Sequence, residues 1–323
     1  MKIIYASDEN YFAYIYVSVK TLLESNKFVK KLEISYIYQN VCEEKRHYLK
    51  ELGLKYGRDI EIREFIMPEV CKKLPSYANS KTTFAKLFFA SMYPNDDVVL
   101  FVDPDTLIMD NIEDLFNIDL GDHLIAGVTE CLPIYHKAAS HMYENDQYIN
   151  GGMVLCNLKK WREENFEEKA TIRAADTRFQ LNYDQGIIND LCKGRILILH
   201  PRYNVLAEVF EFKSARKIRK RYGFKNYFSQ KQIDEALAKP AIIHFTGFLY
   251  GKPMSSKCTH PYSEFFWQQL KSCPWQVNLS NEELDSRKKF RRWALDHLPF
   301  RLYLLVESFF DIRRKYLLSK ERK

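Results

Sequence analysis

The chain has 323 residues, of which 46% are hydrophobic, 15% aromatic and 28% charged. That composition excludes a disordered or fibrous protein and allows a sizeable buried core. The net charge of +7 is confined to one end, since residues 285–323 hold twelve Lys or Arg against five Asp or Glu while the preceding 284 residues are balanced. Seven scattered cysteines without a C-x-x-C pair argue against a disulfide framework or zinc site, and no apolar run approaches the roughly 20 residues of a spanning helix.

In chain order, Lys2–Tyr5 reads as a strand that opens without the apolar core of a secretory leader, and a cytoplasmic location is expected. Asp8, Asn10 and Tyr11 follow in a short polar turn, and Tyr11–Glu24 carries Ile15, Val19, Leu22 and Leu23 at helical spacing. This strand–turn–helix lacks the Gly-x-Gly-x-x-Gly fingerprint of dinucleotide binders. Asp8 and Asn10 then either bind a base or ribose, with Tyr11 stacking, or cap the helix.

Leu32–Tyr38 and Ile60–Phe65 are further strands, with a charged helix over Glu43–Tyr56 between them. Lys81–Tyr93 has helical spacing, and Lys86 is the one charge inside its apolar stretch, which either snorkels to solvent or contacts phosphates at the crevice. Next comes D-V-V-L-F-V-D-P-D, in which Val98–Val102 has the pattern of a strand buried on both faces. It delivers Asp103 and Asp105, separated by Pro104, to the strand's carboxyl end, where open α/β sheets bind ligands and where paired oxygens hold a divalent cation. Asp-Pro-Asp is also ordinary turn chemistry.

Leu124–Thr129 is the next strand, followed by I-N-G-G-M-V-L-C, with Asn150 and two glycines ahead of a buried strand from Met153 to Cys156. Asp184 and Gln185 start a helix whose apolar face holds Ile187, Ile188 and Leu191. Arg195–Leu199 is a strand followed by H-P-R-Y-N-V, and Pro240–Gly247 is a final core strand bearing His244, with Lys252 eight residues further on. Residues 1–280 form one unit on this pattern. Residues 281–323 interleave aromatic, aliphatic and basic side chains either as a helix on an anionic membrane surface or as an ordinary amphipathic helix docked on the body; a nucleic-acid arm carries fewer large apolar residues.

Six segments occur in an order that resembles glycosyltransferase family 8, which includes retaining bacterial galactosyl- and glucosyltransferases of lipooligosaccharide assembly and, more distantly, glycogenin. They are I-I-Y-A-S-D-E-N-Y, F-V-D-P-D-T-L-I-M-D, N-G-G-M-V-L-C-N, Y-D-Q-G-I-I-N, H-P-R-Y-N-V and I-I-H-F-T-G with K-P, across residues 2–254. The resemblance implies an α/β fold of the GT-A type, a Rossmann-like, mainly parallel mixed sheet flanked by helices. It implies that Asp103, Asp105 and His244 hold Mn²⁺ or Mg²⁺, and that Asp8, Asn10 and Tyr11 hold the uridine end of a UDP-sugar. Lys86, Pro104, Gly247 and Lys252 complete the donor site, and Asn150, Asp184 and Gln185 line the sugar and the reacting face. The expected reaction is transfer of galactose or glucose from UDP-galactose or UDP-glucose to a glycan or glycolipid, at the inner face of the cell membrane. Two rivals are a catalytically inert UDP-sugar-binding protein and an NDP-sugar nucleotidyltransferase, though A-S-D-E-N-Y lacks the latter's Gly-rich phosphate loop. Lys86 stands where the family often has Arg, Gly186 where many members have a second Asp, and the loop from Gly247 to Lys252 is two residues longer than the family's H-x-x-G-x-x-K.

Overall fold

The computed structural model describes residues 1–72, 81–175 and 183–321. Its strands are β1 (Lys2–Asp8), β2 (Glu33–Gln39), β3 (Ile60–Glu64), β4 (Val98–Val102), β5 (Thr106–Ile108), β6 (Ile125–Thr129), β7 (Ile149–Asn157), β8 (Ile196–Ile198), β9 (Val205–Leu206) and β10 (Ile242–His244). Seven form a sheet in the order β3-β2-β1-β4-β7-β6-β8. Only β7 runs against the other six, so the sheet is mainly parallel.

Helices cover both faces, which is why the central strands are apolar without alternation. Ile3, Tyr5, Leu100 and Val102 point into a core shared with the helix Phe12–Ser25. Their neighbours Ile4, Ala6, Val99 and Phe101 point into a second core with Trp161 and Phe166. β1 and β4 are adjacent and parallel, so Asp8 and Asp103 emerge at the same edge.

Three expectations change. Residues 240–247 do not join the main sheet: β10 is the middle strand of a small second sheet, β5-β10-β9, in which His244 pairs with Thr106 of β5. The segment before β4 is a 3₁₀ helix over Thr82–Phe88 with a short α-helix, Phe89–Met92, rather than one continuous α-helix. In a 3₁₀ turn residues i and i+3 eclipse, which puts Thr83 and Lys86 on one face. The strand bearing Asn150 begins at Ile149, so both glycines lie within it. Part of the segment leading to Asp184, residues 179–182, lies outside the described residues, as do 322–323.

The basic tail forms two helices, Ser286–His297 and Phe300–Glu321. They dock on the body through buried Ala294, Tyr303 and Glu307, with Glu307 ion-paired to Arg221 and Arg291. Large apolar side chains remain exposed on this pair, among them Trp293, Leu305, Phe309 and Ile312. Among the described residues no helix is long and apolar enough to cross a membrane.

Candidate active site

The carboxyl ends of β1 and β4 and the end of β10 open into a cleft of about 640 Å³. On its wall, Asp103, Asp105 and His244 bring one ligand atom each within 4.8 Å of one another. His244 Nε2 is 3.3 Å from Asp105 Oδ1 and 3.7 Å from Asp103 Oδ2. Long-range pairing sets this arrangement, because β5 follows the Asp-Pro-Asp turn directly and Phe245 N–H donates to Asp105 C=O at 2.9 Å.

Confinement of these three groups perturbs each of them. Burial lifts the Asp103 carboxyl above its ordinary value, despite Lys86 and His244 nearby. Burial acts the same way on Asp105, but Lys252 and His244 outweigh it and hold that carboxyl low. His244 is raised: burial opposes its charged form, and Asp105 and Asp103 overcome that. Two carboxylate oxygens and one imidazole nitrogen are a donor set that a divalent cation satisfies. Gly152 keeps the space open, since a Cβ there would lie 2.2 Å from His244 Cε1 and 2.5 Å from Asp103 Oδ2.

Beside the triad, Lys86 is buried and donates to Gly151 C=O at 2.8 Å, pairs with Asp184 Oδ2 at 2.7 Å and lies 4.0 Å from the centre of the Phe101 ring. Thr83 Oγ1 donates to the other Asp184 oxygen at 2.5 Å. Gln185 Oε1 accepts from Gly151 N–H at 2.7 Å. A Cβ on Gly151 would sit 3.0 Å from the Gln185 Cβ, so glycine permits this close approach. Asn150 Nδ2 donates to Glu130 Oε2 at 2.5 Å, and its Oδ1 accepts from Asn204 Nδ2 at 2.9 Å.

Most of the sequence-derived candidates thus meet in one place. Asp8, Tyr11, Lys86, Asp103, Pro104, Asp105, Asn150, Asp184, Gln185, His244 and Lys252 all line the cleft, whereas Asn10 and Gly247 do not. Asp8 also performs the capping role, accepting from Asn10 N–H at 3.0 Å, and the Tyr11 ring stacks on Tyr14 with 5.2 Å between centroids. Lys252 Nζ bonds Asp105 and donates to Phe245 C=O at 3.0 Å. Gly247, at φ +89°, supplies the turn that precedes Lys252.

Glu130, His136, Glu208, Thr246 and Arg314 line the cleft without having been singled out from sequence. Burial, then the neighbouring Glu130, pushes the Glu208 carboxyl up to about 8. Of these only Thr246 lies in one of the six motif segments, two residues after His244. Asn204, from H-P-R-Y-N-V, is a further addition; it bonds His244 and Asn150 but carried no role.

Comparison with known proteins agrees with this geometry. The sequence pattern of the family described as Glycosyl transferase family 8 matches residues 2–256. General stress protein A of Bacillus subtilis is 23% identical over 286 residues, spanning 86% of this chain and 95% of that protein. A lipopolysaccharide 1,2-glucosyltransferase of Escherichia coli K12 is 24% identical over 307 residues, spanning 92% and 86%. The solved structure of the galactosyltransferase LgtC, with donor and acceptor sugar analogues, has the same fold: TM-score 0.71 and 24% identity, over 85% of this chain and 97% of that one. With its sequence matched over residues 2–256 and three residues that could hold a metal ion gathered in one cleft, the chain belongs to glycosyltransferase family 8 and is a glycosyltransferase of the GT-A fold.

Proposed function

We propose that this glycosyltransferase is a retaining hexosyltransferase that moves galactose or glucose from a UDP-sugar to a saccharide acceptor in lipopolysaccharide, lipooligosaccharide or other cell-surface glycan assembly. The observation that carries the proposal is the Asp103–Asp105–His244 cluster in a cleft also lined by Asp8, Tyr11, Lys86 and Asp184. A relative named as a lipopolysaccharide glucosyltransferase supports the acceptor class.

Asp103, Asp105 and His244 would hold Mn²⁺ or Mg²⁺, which when bound supplies Lewis acidity toward a departing diphosphate. Asp8 and Tyr11 bind the uridine. Lys252 stands beside Asp105, where a positive charge stabilises negative charge building on the leaving group. Lys86 and Thr83 lock the Asp184 carboxylate in one orientation toward the sugar. Gln185, an amide and therefore a poor nucleophile, is held by Gly151 N–H against the reacting face. Retention then follows from attack by the acceptor hydroxyl on the face that the diphosphate leaves, with the leaving phosphate taking the proton.

The test is incubation with UDP-galactose or UDP-glucose, a saccharide acceptor, and Mn²⁺ or EDTA. Metal-dependent release of UDP with retained anomeric configuration is expected. Binding of UDP without turnover of either donor would replace transfer by a sugar-binding role.

The exposed Trp293, Leu305, Phe309 and Ile312, set among basic residues of the tail, support attachment to the cytoplasmic surface of an anionic membrane. In sedimentation with phosphatidylglycerol vesicles, F309E/I312E is expected to lose binding that the wild-type chain has; equal binding removes the membrane role.

A further inference from the structure

Cys131, Leu132, His136 and Arg314 wall a second cavity of about 610 Å³ as well as the catalytic cleft, and this cavity lies where the two terminal helices meet the body. It is lined by six cationic side chains and three carboxylates. All three carboxylates are engaged. Glu307 is ion-paired with Arg221 and Arg291, Asp311 bonds Arg221 at 2.8 Å, and Asp285 caps the helix Ser286–His297 by accepting from Lys288 N–H at 2.8 Å. Arg287, Lys288, Arg313 and Arg314 have no ion-pair partner among the described residues.

The lining therefore holds three more cationic than anionic side chains. Arg287 and Lys288 occupy the first turn of the 12-residue helix Ser286–His297, which has no acidic residue there. At that end the helix dipole is already positive, and the single Asp285 cap faces both of these cations, so a further anion is favoured there. Arg221, whose side chain is only 6% exposed, also lines the cavity; its terminal nitrogens pair with Glu307 and Asp311, and its Nε–H alone has no hydrogen-bond partner. Neither the metal triad nor Asp8 and Tyr11 borders this cavity, so it lies outside the donor site.

We infer that the cavity binds a phosphate group carried by the acceptor, while the acceptor's hydroxyl enters the cleft past His136 and Leu132. The inference rests on the donor-site assignment proposed above. It narrows the acceptor to a phosphate-bearing saccharide or glycolipid. Guanidinium groups suit this task because their planar donors match phosphate oxygens.

The experiment uses the full chain, saturated with UDP and Mg²⁺, titrated calorimetrically with glucose 6-phosphate, with glucose, and with dihexanoyl phosphatidic acid below its micelle concentration. Binding of the phosphate compounds and not of glucose is expected, weakened at least tenfold in R287Q/K288Q/R313Q and retained in R287K/R313K. Tighter binding of the sugar phosphate puts the phosphate on the saccharide; tighter binding of the phosphatidic acid puts it on the lipid. Wild-type protein that binds neither, a triple variant that binds as wild type does, or phosphate that UDP displaces would each overturn the inference. UDP affinity, measured beforehand, tests the donor site separately: if UDP fails to bind, the phosphate titrations of the UDP-free chain still decide whether the cavity takes an anion.

Discussion

His244 Nδ1 lies 3.2 Å from Asn204 Oδ1, and a chain of hydrogen bonds fixes which atom donates. Gly152 N–H donates to Asn150 Oδ1 at 2.9 Å, so that atom is the amide oxygen. Asn204 Nδ2 donates to the same oxygen, also at 2.9 Å, which turns Asn204 Oδ1 toward the imidazole. An amide oxygen only accepts, so Nδ1 carries the proton and Nε2 faces the two aspartates as the nitrogen available to a metal ion.

Replacing Asn204 by Ala removes that orientation without touching a ligand. Metal affinity is expected to fall roughly 10- to 100-fold, the usual cost of losing such a partner. Mn²⁺ titration followed by electron paramagnetic resonance reads it directly; unchanged affinity would show that packing alone holds the ring.

Gly152→Ala is expected to abolish divalent-ion binding while leaving the far-ultraviolet circular dichroism intact. The added methyl would overlap both His244 and Asp103, at 2.2 and 2.5 Å. The same titration decides, and a variant that binds metal with wild-type affinity would mean that the backbone yields.

Lys86 and Asp184 form a buried pair at 2.7 Å. Lys86→Ala leaves the carboxylate without its cation and is expected to cost about 3–5 kcal/mol of stability. Adding Asp184→Asn to Lys86→Ala should restore part of the loss, because the orphaned charge disappears; a double-mutant cycle in urea measures this coupling. Additive losses would argue that the two residues act independently.

Glu208 is raised from 4.5 to about 8 by burial, with Glu130 adding to the shift. The folded protein therefore binds more protons than the unfolded chain between those two values. Stability attributable to this group is fully present below pH 4.5 and is lost as pH rises toward 8. The slope is roughly 1.4 kcal/mol per pH unit inside that window. Glu208→Gln is expected to flatten the fall and to raise the melting temperature most at alkaline pH, which thermal melts from pH 5 to about 9 would follow.

Glu307 shifts the other way. Burial disfavours its carboxylate, but Arg291 and Arg221 outweigh burial and hold it below 4.5. Its contribution is present above the unfolded value and disappears as pH falls through the folded one. Glu307→Gln should loosen the tail at neutral pH, read as faster tryptic cleavage within residues 286–315; wild type should behave alike only in acid.

Strong local signals were legible without coordinates. The apolar run Val98–Val102 and its two following carboxylates specify a buried strand ending in a ligand edge, because side-chain period and burial are local properties. The 3₁₀ turn at Thr82–Phe88 was not legible, since 3₁₀ and α spacing differ little over two turns and the choice is made by Thr83 and Lys86 both reaching Asp184. Glu130 and Glu208 were invisible as site residues, because an isolated Glu in sequence carries no sign that it will line a cleft.

By itself the sequence determined the strand and helix periodicity, the order of the motif segments and which residue types could serve as metal donors. Tertiary structure alone decided that His244 lies in a separate small sheet, paired across 138 residues with Thr106, and so within reach of Asp103 and Asp105. It also decided that the basic tail folds back onto the body through the pairs Glu307–Arg221 and Arg292–Glu211. The physical reason is the same in both cases: strand pairing and buried charge pairs join residues far apart in the chain, and no local pattern records which distant partner will satisfy them.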